Sequence, residues 1–385
     1  MRRAYKFRLY PNVNQTRELG IMLETHRRLY NLCLEQRRGE YESHRRSVKY
    51  TAQSAEFKDL RRDNPFFARI NFSSAQATMR RLDKSYRAFF RRCKSGDTKP
   101  GYPRFKARDR FDSIEFPAYG DGIRLIERKL RIQHVGKVRV NVHREVKGTV
   151  KTATLKREAD KWYVVLSCDL GDLAVPPSGK PATGIDVGLE AFLTTSDGTR
   201  VENPRYLKTE LPALRRAQRA VSRKKKGGAN RRKSVKVVHV LHARVANLRR
   251  EHHHKTALNL VRSHGLIGVE RLNIRGMVKN HSLARAISDA AWGGFVNILC
   301  YKAESAGAEV VAVNPAGTSQ NCSGCGIVVR KPLSQRIHSC PDCGLVLHRD
   351  ENAARNILAR ALLARTGPVG LNDAVRHRVP RSCLL

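Results

Sequence analysis

Two cysteine pairs, Cys322-Ser-Gly-Cys325 and Cys340-Pro-Asp-Cys343, stand fourteen residues apart near the C-terminal end of this 385-residue chain. No other feature limits the fold so sharply. Each pair turns tightly and is followed by a glycine, Gly326 or Gly344, which lets backbone amides point at the sulfurs. Four thiolates gathered this way suit tetrahedral Zn²⁺, with Zn–S distances of about 2.3 Å. With four sulfur ligands such a zinc ribbon is closed, hence structural and not catalytic. Its loop carries Arg330, Lys331, Arg336 and His338, a set suited to nucleic-acid contact. The other five of the nine cysteines are scattered, so the chain is not a secreted disulfide framework.

Charge narrows the partner. Lys and Arg number 75 against 34 Asp and Glu, a formal net charge of +41. A compact body with that much like charge repels itself, and a polyanion relieves the repulsion. No apolar stretch is long enough to span a bilayer. The basic start Met1-Arg-Arg-Ala-Tyr-Lys-Phe is followed by no signal-peptide core, and Cys383 is misplaced for prenylation. Nucleic acid in the cytosol is the expected partner, and no membrane. From Leu211 to Arg250 there are fourteen Lys or Arg and no acid. A merely solvated helix usually mixes signs to gain i,i+4 pairs. This run reads as a nucleic-acid cradle, with Arg223, Lys224, Lys225, Lys226, Arg231, Arg232 and Lys233 flanking a Gly227-Gly228 turn. Such cations give affinity through counterion release, not sequence choice.

Hydrophobic spacing divides the chain. Tyr5, Phe7 and Leu9 alternate with basic residues as a one-faced strand, after which Leu19, Met22, Leu23, Leu29, Tyr30, Cys33 and Leu34 fall at helical spacing. A second amphipathic helix follows Ser73 and Ser74, its expected caps, with Met79, Leu82, Tyr86, Phe89, Phe90 and Cys93 on one stripe. Five strands are expected next, over 111–116, 123–132, 138–143, 150–155 and 162–170. A small β-barrel with a helical insertion fits this order. Beyond a Pro-rich linker at 176–181, strands and helices alternate as in an α/β domain. Strands are expected at 183–187, 191–195, 266–269 and 309–313. Helices are expected over most of 211–263, at 287–306 and from about Asn352. The last residues, 366–385, read as a loose tail.

Three acids close hydrophobic segments or open a helix. Asp186 ends the strand in Thr183-Gly-Ile-Asp-Val-Gly, Glu270 ends Gly265-Leu-Ile-Gly-Val-Glu270, and Asp350 opens a helix in His348-Arg-Asp-Glu-Asn-Ala-Ala-Arg-Asn356. A carboxylate at the end of a buried strand needs a solvated edge, a cation or a metal. Three together would hold two Mg²⁺ about 3.5–4 Å apart, able to activate water and stabilise the leaving oxygen of a phosphodiester displacement. The Gly-Ile-Asp-Val-Gly segment with Ser196-Asp-Gly198 also resembles the phosphate loop of actin-like sugar kinases. The combination of all three acids favours a ribonuclease-H-like nuclease. The adjacent His252, His253 and His254 diverge around a helix and read as nucleic-acid contacts or a solvated face.

In order along the chain, Gly-Ile-Asp-Val-Gly, Gly-Val-Glu-Arg-Leu, Thr318-Ser-Gln-Asn-Cys-Ser-Gly-Cys-Gly and Arg-Asp-Glu-Asn-Ala-Ala-Arg-Asn-Ile resemble the TnpB family. These proteins are encoded by insertion sequences and are kin to miniature type V CRISPR nucleases. Gly101-Tyr-Pro-Arg-Phe-Lys106 and Ser288-Asp-Ala-Ala-Trp-Gly-Gly-Phe295 extend the resemblance nearly end to end. It implies an α+β multidomain fold: a wedge β-barrel (1–11 and 101–175) holding a helical recognition domain (12–100), then a RuvC domain (180–317 and 347–365) with an inserted zinc ribbon (318–346). It implies double-stranded DNA cleavage guided by an RNA from the end of the element, next to a short target-adjacent motif. Asp186, Glu270 and Asp350 would then be the Mg²⁺-binding catalytic acids, and Cys322, Cys325, Cys340 and Cys343 the Zn²⁺ ligands. Gln76 lies on the helix where the family reads the adjacent motif, and an amide can bond an adenine edge. Some relatives have lost the acids and act as RNA-guided repressors; a nuclease-inactive repressor or transposition accessory is the alternative. This chain keeps all three, with His348 where many members carry Asp. Arg349 would contact the scissile strand or pair with Glu351.

Overall fold

The computed structural model describes residues 1–172, 175–332 and 334–366. The expected C-terminal tail lies almost wholly outside these residues. Two compact units divide at the linker, Met1–Leu173 and Ala174–Leu385.

The first unit runs β1 (Arg2–Tyr10), α1 (Val13–His44), α2 (Tyr50–Asp63), α3 (Pro65–Ala68) and α4 (Phe72–Lys94), then β2 (Ser113–Phe116), β3 (Ile123–Ile126), β4 (Lys129–Ile132), β5 (Gly136–Asn141), β6 (Thr149–Glu158) and β7 (Lys161–Asp169). The strands form one antiparallel sheet in the order β2-β6-β7-β1-β5-β4-β3. β1 lies in the middle, paired with β7 and β5, because its alternating Tyr5, Phe7 and Leu9 are all buried on one face. Among the described residues no ladder joins the edge strands β2 and β3, so the sheet is a curled half-barrel and not the closed barrel expected from sequence. Two local expectations also change. The single strand foreseen at 123–132 is a hairpin, turned at Glu127 with φ 53°. The cap of α4 is Asn71, whose side chain accepts from the Ser74 amide, while Ser73 and Ser74 lie inside the helix. α1 begins with a reciprocal capping box between Asn12 and Gln15. Helices and strands of this unit share one core, including Phe7, Leu19, Tyr30, Met79, Leu82, Phe111 and Leu166.

The second unit runs β8 (Ala182–Val187), β9 (Ala191–Thr195), β10 (Arg200–Glu202), α5 (Tyr206–Ser222), α6 (Ala229–Ser263), β11 (Leu266–Glu270), α7 (Ile274–Met277), α8 (His281–Ala290), α9 (Trp292–Ala306), β12 (Glu309–Val313), β13 (Ile337–Ser339), β14 (Val346–His348) and α10 (Arg349–Thr366). Its five-stranded sheet has the order β10-β9-β8-β11-β12, with β11 parallel to both neighbours and β8, β9 and β10 antiparallel. Side chains alternate across a strand, so the sheet has two unlike faces. Ile185 and Val269 join Leu260, Ile287, Trp292, Phe295 and Leu299 in the core under α6, α8 and α9. Gly184 and Gly268, one position away, face α10.

That second contact is unusually close. A Cβ on Gly184 would sit 2.1 Å from the Ala354 carbonyl oxygen and 2.5 Å from the Leu358 amide nitrogen. One on Gly268 would sit 2.9 Å from Ala361 Cβ. Only glycine lets the helix backbone rest directly on both strands.

Candidate functional site

The three acids meet through that packing. β8 and β11 are in parallel register up to the pair Ile185–Val269. Asp186 and Glu270 follow as the next residue on each strand, at a strand separation of about 4.8 Å. Each lies two positions beyond a glycine that faces α10, so both carboxylates project toward that helix. Asp350 is the second residue of α10. Burial, followed by the charges of Glu270 and Asp350, holds the Asp186 carboxyl well above its ordinary value; Arg349 opposes the shift. Burial likewise raises Glu270, against a hydrogen bond from Thr318 and the charge of Arg360. Asp186 therefore feels the charge of both other acids, and burial makes Asp186 and Glu270 resist ionisation.

The neighbours of these acids are fixed. Thr318 Oγ1 donates to Glu270 Oε1 at 2.5 Å. The Asp350 amide donates to His348 Nδ1 at 3.2 Å. Arg349 is buried, donating to the Pro332 carbonyl at 2.9 Å and to Ser319 Oγ at 3.2 Å. It does not pair with Glu351, which holds Arg355 at 2.7 Å. The phosphate-loop alternative fares poorly, because Gly184 is a mid-strand contact for α10 and Ser196 Oγ is bonded to Thr183 at 3.0 Å.

The four cysteine sulfurs lie within 4.8 Å of one another. The Cys322–Cys343 and Cys325–Cys340 separations are 3.6 and 3.5 Å. A tetrahedron with Zn–S of about 2.3 Å requires sulfurs about 3.8 Å apart, so the cluster fits zinc. Each knuckle closes on a backbone bond, Gly326 N–H to the Cys322 carbonyl and Gly344 N–H to that of Cys340. Asn352 and Asn356, both on α10, tie this module to the acids. Asn352 donates to the Asn321 carbonyl at 2.7 Å and accepts from the Ser323 amide at 2.9 Å. Asn356 donates to the Thr318 and Asn321 carbonyls, each at 2.8 Å. The role of these two asparagines was not read from the sequence. Their i,i+4 spacing on the face of the Asp350 helix was the available signal.

The basic segment 211–250 forms most of a helical hairpin, α5 and α6, turning at Arg223 to Gly228, with Gly227 at φ 83°. Arg223, Lys225, Lys226, Arg232 and Lys233 are exposed there, while Lys224 bonds Ser234 Oγ at 2.8 Å and Arg231 is half-buried. Gln76 is half-buried and donates to Ser54 Oγ at 3.2 Å. The histidine run departs from expectation. His253 is buried, bonded through Nε2 to the Ala290 carbonyl at 3.0 Å and stacked on Phe192; His252 packs edge-on against the same ring. His253 enters the core and His252 is half-buried at its margin, because the α6 face carrying them faces the sheet.

A second cationic surface was missed. On the outer face of β3-β4-β5, Arg124 stands directly opposite Arg131, Arg131 opposite Lys137, and Lys129 opposite Arg139. All five are exposed, and among the described residues no carboxylate pairs with them. The Tyr10 ring, itself exposed, lies 4.8 Å from Arg8 and 5.6 Å from Arg139. Like charges placed opposite across strands are destabilising, so this face stores a repulsion that an anionic partner would relieve. Alternating Arg and Lys along 124–139 was the signal.

Three family models match this chain. One described as "Probable transposase" (OrfB_IS605) covers residues 153–281, one described as "Cas12f1-like, TNB domain" covers 292–357, and a "Helix-turn-helix domain" covers 1–46. The last stretch folds here as β1 followed by α1. A Streptomyces pristinaespiralis protein named "Putative RNA-guided DNA endonuclease" is 34% identical over 94% of this chain and 90% of its own length. An Escherichia coli K12 protein of the same name, InsQ, is 30% identical over 92% of this chain and 91% of its own. Among solved structures, a Cas12f1-sgRNA-target DNA complex aligns over 93% of this chain and 99% of that one, at 16% identity and a TM-score of 0.35. The chain belongs to the TnpB family, related to Cas12f.

Proposed function

We propose that this chain is an RNA-guided DNA endonuclease that cuts double-stranded DNA beside a short adjacent motif, using Asp186, Glu270 and Asp350 as a RuvC-type metal site. The observation that carries the reading is the convergence of these acids on one sheet edge, enforced by Gly184 and Gly268 against α10. The mixed five-stranded sheet covered on both faces is consistent with a ribonuclease-H-like domain at 180–317 and 347–365, with 318–346 as its inserted zinc ribbon. The first unit would comprise the wedge (1–11 and 101–175) and the helical recognition domain (12–100) carrying Gln76.

When bound, two Mg²⁺ would neutralise the carboxylates, activate the attacking water and stabilise the leaving oxygen. The protein supplies the geometry. Asp186, Glu270 and Asp350 offer oxygen ligands; Thr318 fixes the Glu270 rotamer; and Arg349, held by Pro332 and Ser319, keeps a guanidinium beside Asp186. Zn²⁺ on Cys322, Cys325, Cys340 and Cys343 would hold the loop that carries Thr318 and Asn321. The exposed cations of the α5–α6 hairpin and of the β3-β4-β5 face would hold the guide RNA, transcribed from the end of the element, and its heteroduplex through phosphates.

The test is the Asp186→Ala variant purified with its RNA. Cleavage of a matched duplex should fall by at least a thousandfold, while RNA content and target binding stay within about twofold. Cutting at the normal rate would dismiss this site, and binding without cutting by the unaltered protein would favour the repressor alternative.

A further inference from the structure

The strand beside Asp186 carries a side chain that no step above uses. In the antiparallel β8–β9 pair, Thr194 stands directly opposite Asp186. Residues opposed in this way project from the same face of the sheet, with Cβ atoms about 4.5–5.5 Å apart. Thr194 therefore shares the face of Asp186, whereas Leu193 and Thr195 stand opposite Val187 and Ile185, whose side chains join the core on the other face. The Thr194 side chain is buried, with 1% of the residue exposed, and among the described residues its hydroxyl has no hydrogen-bond partner. A polar group hidden in this state is destabilising, so its presence calls for a reason.

Local bonding does not supply one. The neighbouring Thr195 hydroxyl donates to the Thr199 carbonyl at 3.0 Å, and Thr194 makes no such bond. On its other side Thr194 faces Arg200 of β10, whose guanidinium is drawn to Glu190 at 3.6 Å. Asp186 is the acceptor that this row leaves open. The Val187 amide bonds its carboxylate, and among the described residues no side chain does. Glu270 shows the completed arrangement, since Thr318 Oγ1 donates to its Oε1 at 2.5 Å.

We infer that Thr194 is a positioning residue for Asp186: its hydroxyl, turning about χ1, donates to the carboxylate oxygen that a bound cation leaves free. The inference rests on the proposed metal site and adds the group that fixes the orientation of its first acid. The terminal torsion of an aspartate is broad, so one backbone bond leaves the carboxylate free to swing. Carboxylates that ligate metals are themselves held by hydrogen bonds, and losing the holding group typically costs about 10- to 100-fold in metal affinity or activity.

The test is a titration of the RNA-loaded protein with Mn²⁺, the free ion being counted by electron paramagnetic resonance. RNA also takes up Mn²⁺, so the site is defined as the binding that Asp186→Ala removes. Thr194→Val keeps the shape and deletes the hydroxyl; its affinity at that site should fall at least tenfold. Thr194→Ser restores the donor and should stay within about threefold of the unaltered protein. In chelator Thr194→Val should melt no lower than the unaltered protein, because it deletes a buried hydroxyl that has no partner. Unchanged Mn²⁺ affinity in the Val variant, a Ser variant as weak as Val, or a Val variant that melts lower in chelator would each overturn the inference and leave the metal site standing. An unaltered protein with no Asp186-dependent Mn²⁺ binding would overturn both.

Discussion

Gly184→Ala adds one methyl group, buried 2.1 Å from the Ala354 carbonyl oxygen and 2.5 Å from the Leu358 amide. Both obstacles are helix backbone, so no rotamer change relieves them. To reach ordinary contact α10 must retreat by roughly 1 Å, and it carries Asp350 with it. Overpacking of this kind costs about 1–3 kcal/mol in stability. The effect on chemistry should be larger, because a misplacement of about 1 Å can cost a hundredfold in rate. The assay is single-turnover cleavage of a matched duplex by the RNA-loaded variant, with zinc content, RNA content and target binding measured on the same sample. Cleavage should fall about a hundredfold with the other three unchanged. Gly20→Ala is the control: nothing lies within 4 Å of its added Cβ, and in the α1 interior the change should stabilise by up to about 1 kcal/mol. A Gly184→Ala protein that is folded and cuts at the normal rate would refute the claim that direct α10 contact sets the acid geometry.

Further outcomes follow from the same structure. Since the Asp186 carboxyl is raised above 3.8, the metal-free native state binds more protons than the unfolded chain just above that value, so stability should fall as pH rises through this range. Thermal melts in chelator should show that slope, Mg²⁺ should reverse it, and Asp186→Asn should flatten it. Arg131→Glu places a carboxylate between Arg124 and Lys137; it should stabilise the nucleic-acid-free protein by about 0.2–1 kcal/mol per pair yet weaken RNA binding, read by denaturation and by salt titration. Cys340→Ser should abolish the single bound zinc, seen by metal analysis, and lower cleavage through the Thr318–Glu270 bond, whereas Cys93→Ser, at an exposed thiol outside the cluster, should do neither.

Features whose chemistry is local were legible in the sequence. The zinc knuckles are fixed by spacing, β1 by strict alternation, and the acid positions by hydrophobic runs that stop at a charge. What escaped depended on tertiary register. Gly184 could be read as a turn residue or a phosphate loop, because nothing local shows that a helix some 170 residues later lies on it. The hairpin at Glu127 hid inside a run of alternating residues that reads equally well as one long strand. His252 and His253 read as nucleic-acid contacts or a solvated face, because nothing local shows that the sheet covers their side of α6. Among the described residues the edge strands β2 and β3 pair on one side only, with β6 and β4, and no local pattern shows that the two edges do not meet.

The most direct measurement is to purify the protein from cells carrying its own genomic neighbourhood, sequence the RNA that comes with it, and redirect that RNA. A discrete transcript from the end of the element, whose variable 3′ segment can be exchanged to move the cut to a chosen duplex, is the result the account requires. A protein that binds DNA with no specific RNA, or whose cut position ignores the exchanged segment, would contradict it.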